Sequence, residues 1–308
     1  MKIFVTGASG FIGSNLVPLL KRNHIVNDLK GDLLDFESVR KQLNDFQPDV
    51  VVHLAARTEV EMSFYEPITF SQINYTGSVN LIEACAELKN LKNFVFASTM
   101  EVYGWQPISD VIKNHSVPDQ HVAFDENTPV HPNAPYAVAK HGVEKYLEYA
   151  QRSKNFPYTI IRQTNAFGRA DNDFFVTEQI ITQMLKNSNQ INLGYAEPYR
   201  NFIYVSDLLD AWAAVIENSD RVNSGLLFTL GPDEPYKIKD WADKIADKIG
   251  WSGTINWNTK PRRDGEIYWL NSNNRLMYET LGWQPMVSID EGLDRTIKIW
   301  RDKLTISR

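Results

Sequence analysis

Tyr136 and Lys140 stand at the head of a helix-period segment, Tyr136-Ala137-Val138-Ala139-Lys140, a spacing that sets both side chains on one helix face one turn apart. A tyrosine alone titrates near pH ~10 and is a poor base at neutral pH. Upstream, Ser98-Thr99-Met100-Glu101-Val102-Tyr103-Gly104 closes an apolar run and offers a hydroxyl, Thr99, and a carboxylate, Glu101. A third cluster, Gly7-Ala8-Ser9-Gly10-Phe11-Ile12-Gly13, follows the first apolar run and opens a helix. Its glycines allow a tight turn, close backbone approach to a pyrophosphate and close packing of helix on strand, while the helix start supplies free N–H groups and a favourable dipole. In that strand-turn-helix context the cluster predicts dinucleotide binding. A lysine cation beside Tyr136, together with an oxidised nicotinamide, would stabilise the phenolate and lower its pKa, which makes the pair suited to general acid–base work.

The elements that must position these residues are legible as an alternation. KIFVTG, HIVND, DVVVHLA and NFVFAST read as strands, and NLVPLLKRN, ESVRKQLNDF and NYTGSVNLIEACAEL as the helices between them. Repeated strand, helix, strand implies an α/β fold with a doubly wound parallel sheet, right-handed crossovers and helices on both faces. Residues 49–54 and 94–97 are continuous apolar runs, as strands buried on both sides require. The helix signal PYAVAKHGVEKYLEYAQR leads into the strand YTIIRQ. Beyond residue 165 the pattern loosens, with FFVTEQIITQMLKN and DLLDAWAAVIEN as helices around the strand RNFIYV. This predicts a dinucleotide-binding domain over 1–165 with a return at about 200–228, and a smaller substrate lobe from 166–199 and 229–308. Most of the eight tryptophans are expected to fill lobe cores.

Bulk properties exclude several function classes. The chain has 308 residues, 43% of them hydrophobic, with a formal net charge of −6 and scattered Lys and Arg, which lacks the basic footprint of a nucleic-acid binder. The N-terminus lacks a signal-peptide pattern and no apolar run is long enough to span a membrane, so a cytoplasmic protein without membrane contact is expected. The single cysteine, Cys85, falls on the apolar face of a helix and reads as core packing. The six histidines show no ligand spacing, and no metal site is expected.

The ribose-reading acid should end the second strand. Asp28 ends HIVND, whereas Asp32, in Gly31-Asp32-Leu33, lies nearer the usual spacing from the glycines. Asp28 would repel a 2′-phosphate and favours NAD, while Lys30 could attract one, so NADP stays open.

The glycine loop, S-T-x-E-V-Y-G and Y-x-x-x-K, in this order, resemble the extended short-chain dehydrogenases, the NAD-dependent nucleotide-sugar epimerases and dehydratases with a Rossmann-type fold. The likeness runs through His53-Leu54-Ala55-Ala56, Ser63, Pro67, Asn74-Tyr75-Thr76-Gly77, the stretch from Arg162 to Arg169, and Arg200 to Leu208. The resemblance implies that Tyr136 removes the proton of a sugar 4-hydroxyl, that Thr99 holds that oxygen, and that Lys140 holds Tyr136 and the nicotinamide ribose. Gly7, Gly10, Phe11, Ile12, Gly13, Leu33, Ala55 and Ala56 would line the cofactor. Ser63 and Asn165 would contact the nucleotide-diphosphate sugar, with Arg200 and one of Arg262 or Arg263 on its phosphates. A homodimer through the Tyr136–Lys140 helix is implied as well, with His141, Val143 and Tyr146 to Tyr149 as candidate surface.

The reaction after oxidation turns on Glu101. A C4 ketone acidifies the C5 proton; a carboxylate there suits a 4,6-dehydratase, in which water then leaves from C6. Many relatives of that kind place an acid just before this Glu, where this chain has Met100. A 4-epimerase, a 4-keto-sugar reductase or decarboxylase, and a non-catalytic dinucleotide-binding protein remain as alternatives. The connection between Gly104 and Glu126 is longer than in many relatives; its Trp105, His115 and His121 are candidates to touch substrate, against the plainer reading of a solvated loop.

Overall fold

The strands form where continuous apolar runs meet glycine or asparagine turns. The computed structural model describes residues 1–114, 122–260 and 265–306. Its first five strands are β1 (Lys2–Thr6), β2 (Ile25–Asp28), β3 (Val50–His53), β4 (Asn93–Thr99) and β5 (Tyr158–Gln163). They are followed by β6 (Asn165–Phe167), β7 (Gln190–Asn192), β8 (Tyr199–Tyr204), β9 (Ser224–Leu230), β10 (Pro235–Lys237), β11 (Thr254–Asn256) and β12 (Trp269–Leu270). The large sheet has the order β2-β1-β3-β4-β5-β9, with every pairing parallel.

Alternation along its strands feeds two cores. Ile3, Val5, Val50, Val52, Val95 and Ala97 pack on one face with Leu16, Leu208 and Trp212. Phe4, Val51, Phe94 and Phe96 pack on the other with Leu43, Leu81, Val143 and Leu147. Burial on both faces is what makes these strands read as unbroken apolar runs. The chain leaves β1 toward β2 and then returns to the opposite side for β3, so the sheet's switch point lies between β1 and β3, where a crevice opens at the strands' carboxyl ends.

The helix Pro135–Lys154 carries Pro135 at its first turn, where a missing N–H costs nothing, and stops at Asn155 with φ 52°, a conformation asparagine tolerates better than most residues. It packs against β4 and so brings Tyr136 and Lys140 under that strand's carboxyl end. Val143, expected on a dimer surface, is instead fully buried in the core beneath the sheet. Helical period marks a stripe but not its partner, and here the stripe faces inward. Cys85 is likewise buried in that core, which pushes its thiol pKa up.

The smaller sheet has the order β10-β8-β12, with β6 pairing β8, while β7 and β11 form a separate pair. Its core stacks Phe202 on Trp241 at 4.0 Å, with Phe167, Ile245 and Trp300 around them. β8 therefore belongs to the smaller sheet, and the return to the large sheet consists of the helix Val205–Glu217 and β9. Trp241, Trp269 and Trp300 fill cores of this lobe and its contact with the large one, whereas Trp283 packs into the core of the large sheet. Of the long connection after Gly104, Ile112 and Phe124 are buried against Trp269 and Trp105 is exposed; His115 and His121 lie outside the described residues. No helix among the described residues is long and apolar enough to cross a membrane.

Candidate active site

A cavity of about 870 Å³ occupies the crevice, bounded by the ends of β1, β3, β4 and β5 on one side and by the smaller lobe on the other. At the end of β1, Gly7 adopts φ +73°, and a Cβ there would stand 2.6 Å from the backbone nitrogen of Ala55; a Cβ on Gly13 would stand 2.2 Å from the Gly7 carbonyl. Both positions exclude any side chain, while Gly10 faces open space on the cavity side, with only its own loop at 3.4 Å. The helix Phe11–Leu20 starts at Gly10 without a side-chain cap, which leaves its first N–H groups for a ligand. This cradle fits the pyrophosphate of a dinucleotide.

Gly7, Gly10, Phe11, Ile12, Ala55 and Ala56 line the cavity as expected from sequence, and Gly13 packs directly behind them. Asp28, Asp32 and Leu33 do not line it. Lys30 Nζ sits 2.6 Å from the Asp28 carboxylate at the end of β2, Asp32 accepts the Leu34 N–H at 2.9 Å, and Leu33 is buried beside Gly77.

A buried chain of hydrogen bonds ties β1 to β3. Thr6 Oγ1 and His53 Nδ1 are 2.6 Å apart, and His53 Nε2 lies 2.8 Å from Ser78 Oγ. Burial first, then the Lys140 charge, push the imidazole down to about 3, so His53 is a neutral structural link. The segment after β3 is pinned by Asn74, which accepts the Arg57 N–H at 2.8 Å and donates to the Arg57 carbonyl at 2.9 Å. Asn74 lies in a π-helical turn, Gln72–Thr76, an irregularity common at functional sites. Ser63, by contrast, is fully buried, donates to the Val60 carbonyl at 2.6 Å and does not line the cavity.

Thr99, Glu101 and Tyr136 share the cavity wall at the end of β4. A turn of 3₁₀ helix, Met100–Tyr103, starts on Thr99, whose hydroxyl accepts the Glu101 N–H at 3.2 Å. Met100 turns the other way, into the core with Val102 and Trp269. The phenol of Tyr136 is buried, and that burial, with the charges of Glu101 and Glu59, raises its pKa; a hydrogen bond with Thr99 acts in the opposite direction. Lys140 is 2% exposed, lies behind the lining with Nζ 4.6 Å from the centre of the Phe96 ring, and is itself pushed down to about 7 by burial. In the chain by itself burial dominates the Tyr136 phenol; the lowering is expected from Lys140 together with an oxidised nicotinamide. Beneath them, Glu144 accepts two bonds from Arg162, at 2.9 and 2.7 Å, and one from Ser98 at 2.6 Å, which holds its carboxylate down to about 2. This pair braces β4, β5 and the helix of Tyr136.

On the far wall Asn165 and Arg200 line the cavity; Arg200 is 3.4 Å from Glu266, while Arg262 and Arg263 lie outside the described residues. Sequence reasoning gave no role to three further lining residues, Glu59, Arg169 and Glu178. Arg169 ends the stretch that begins at Arg162; nothing in the sequence marks Glu178. Glu178 is fully buried, and burial pushes its carboxyl up to about 7 from the usual 4.5. The folded protein thus holds a proton that the unfolded chain has lost between pH 4.5 and 7, so the cost of charging this group is absent below that window and complete above it. Glu178→Gln is expected to stabilise the fold by up to roughly 3 kcal/mol above pH 7 and by little at pH 4.5. Thermal melts at pH 4.5, 6 and 8 check this; a gain that does not vary with pH would refute the burial account. Among the described residues no group of three His, Cys, Asp or Glu side chains is arranged to hold a metal.

A glycine cradle at the switch point of a doubly wound sheet, with a tyrosine and a lysine one helical turn apart beneath the adjoining strand, defines a dinucleotide-dependent enzyme of the Rossmann class. Residues 3–231 match the NAD dependent epimerase/dehydratase family, and the chain belongs to it. It is 28% identical to a putative UDP-glucose 4-epimerase of Methanocaldococcus jannaschii, over 96% of this chain and 97% of that one. It is 25% identical to a human dTDP-D-glucose 4,6-dehydratase over 98% of this chain and 90% of that one. Its structure resembles that of UDP-glucose 4-epimerase from Thermotoga maritima, solved with UDP-glucose, at a TM-score of 0.85 and 26% identity, covering 99% and 100% of the two chains.

Proposed function

We propose that the protein converts a nucleotide-diphosphate sugar through a 4-keto intermediate, and that it is a 4,6-dehydratase. The observation that carries this reading is the carboxylate of Glu101 on the same wall as Thr99 and Tyr136, close enough for its charge to act on the phenol. Bound NAD supplies a reversible hydride acceptor, held by the loop Gly7–Gly13, Ala55 and Ala56. Thr99 orients the sugar's 4-hydroxyl and Tyr136 takes its proton. Glu101 then removes the C5 proton, made acidic by the neighbouring ketone, as hydroxide leaves C6. With the apolar Met100 beside it turned into the core, Glu101 also passes that proton to the departing hydroxyl, so that water is released and the carboxylate is regenerated. The hydride that the cofactor would hold goes back to C6 and a proton from solvent adds at C5, which gives the 4-keto-6-deoxy sugar and leaves the cofactor oxidised. Arg200 and Asn165 on the far wall meet the diphosphate and its sugar.

A 4-epimerase is the second reading, favoured by Met100: an acid there would mark a dehydratase, and its side chain lies in the core instead. Mass spectrometry after incubation with NAD and a panel of UDP-, GDP-, dTDP- and CDP-hexoses separates the two. Loss of one water from a donor is the expected result; unchanged mass with a new chromatographic peak would replace dehydration by epimerisation. The protein is further proposed to form a homodimer through the helix Pro135–Lys154 and the helical residues 60–76 packed on it, which leave Tyr65, Ile68, Tyr75, Val138 and Tyr149 exposed.

A further inference from the structure

Arg169 follows β6 and Gly168 and is 8% exposed, yet it lines the cavity. Its guanidinium carbon lies 4.2 Å from the centre of the Phe11 ring and 3.8 Å from that of Phe175, so the cation packs over two aromatic rings. Packing over the rings leaves the guanidinium N–H groups, which lie in its plane, to find hydrogen-bond partners. Its Nε is buried without a hydrogen-bond partner among the described residues. The acids whose charges reach it are Glu178, Asp171 and Glu59. Glu178 nevertheless spends one carboxylate oxygen on the backbone, accepting the N–H of Gly168 at 3.0 Å and of Arg169 at 3.3 Å, and its other oxygen has no hydrogen-bond partner among the described residues. It fixes where Arg169 sits rather than occupying its edge.

An unpaired buried guanidinium donor is costly. Nε is itself enclosed, so a ligand in the cavity would meet the other part of the Arg169 side chain that lines it. Phe11 is the first residue of the uncapped helix that begins at Gly10, so the cation stands beside the N–H groups of the pyrophosphate cradle. Arg200 lines the opposite wall, on β8, and is already paired with Glu266. From this geometry we infer that Arg169 is a cofactor-binding residue, which places its guanidinium edge on the diphosphate of the dinucleotide, with Phe11 and Phe175 as the clamp and Glu178 as the positioning residue. The inference rests on the dinucleotide reading of the glycine loop.

The test is calorimetric titration of the full chain, freed of bound nucleotide, with ADP-ribose, which carries the diphosphate without the nicotinamide, and with NADH followed by its fluorescence. Binding of both by the unaltered chain tests the loop; its failure would remove the dinucleotide reading itself. Arg169→Met, which keeps bulk between the rings, is expected to weaken ADP-ribose and NADH alike by about 10- to 100-fold, the loss of one charge-assisted interaction. Arg169→Lys, which keeps the charge and not the planar edge, is expected to lose less, and it replaces the Met variant if that one fails to fold. Unchanged affinity for ADP-ribose in a folded variant overturns the inference. Weakened binding of the nucleotide sugar with ADP-ribose unaffected also overturns it, by moving Arg169 to the substrate's diphosphate.

Discussion

Tyr136→Phe is expected to lower kcat by about 10²- to 10⁴-fold while dinucleotide affinity stays within a few-fold of the unaltered protein. The phenol lines the cavity wall beside Thr99, with which it shares a hydrogen bond, and on the proposed mechanism its loss removes a transition-state interaction rather than a binding contact. The protein's own charges hold the phenol above its ordinary range, because burial and the carboxylates of Glu101 and Glu59 oppose ionisation. Burial also pushes Lys140 toward its neutral form. On the proposed mechanism, proton removal by Tyr136 draws on the positive charge of the oxidised cofactor, which ties the chemical step to a loaded site. Steady-state rates set beside NADH titrations check the prediction; a Phe variant that keeps a tenth of the activity would exclude Tyr136 as the base.

Glu101→Gln is expected to abolish water loss, by about 10²-fold or more, and to leave oxidation at C4 intact. Gln keeps the shape and the polar contacts but cannot take the C5 proton. In deuterated water the unaltered enzyme should exchange the C5 hydrogen during turnover, and the Gln variant should not. The variant also removes one of the two negative charges that hold Tyr136 protonated, so its oxidation step should be no slower, which separates a lost base from a damaged site. Full turnover by Glu101→Gln, with an isomer of unchanged mass as product, would instead support the epimerase.

What was legible in the sequence is what backbone sterics and simple periods impose. Gly7 and Gly13 announce themselves because any side chain would collide with backbone. Tyr136 and Lys140 are legible because four residues make one helical turn, and β3 and β4 because burial on both faces demands unbroken apolar runs. For Ser63, type and motif position do not tell whether a hydroxyl opens on a cavity or bonds back within its own helix, as this one does to the Val60 carbonyl. Arg169 escaped a role because its partners are scattered: Phe11 lies near the start of the chain, Phe175 precedes a helix and Glu178 lies within it. The state of Lys140 was not legible either, since the desolvation that sets it comes from the whole surrounding core rather than from a neighbour in the sequence.

The last strand of the large sheet, β9, is made only after the chain has already built β6, β7 and β8 of the smaller lobe. During synthesis β5 must consequently wait with an open edge for some sixty residues, the distance in the chain from Gln163 to Ser224, before its neighbour exists. Such a delayed, long-range parallel pairing is slow to close and exposes an edge to other chains meanwhile. The two lobes are thus interlocked in folding order, and neither can be cut out as an autonomous piece: a fragment ending near residue 222 would keep the glycine cradle and the Tyr136 helix and still leave the sheet they stand on unfinished.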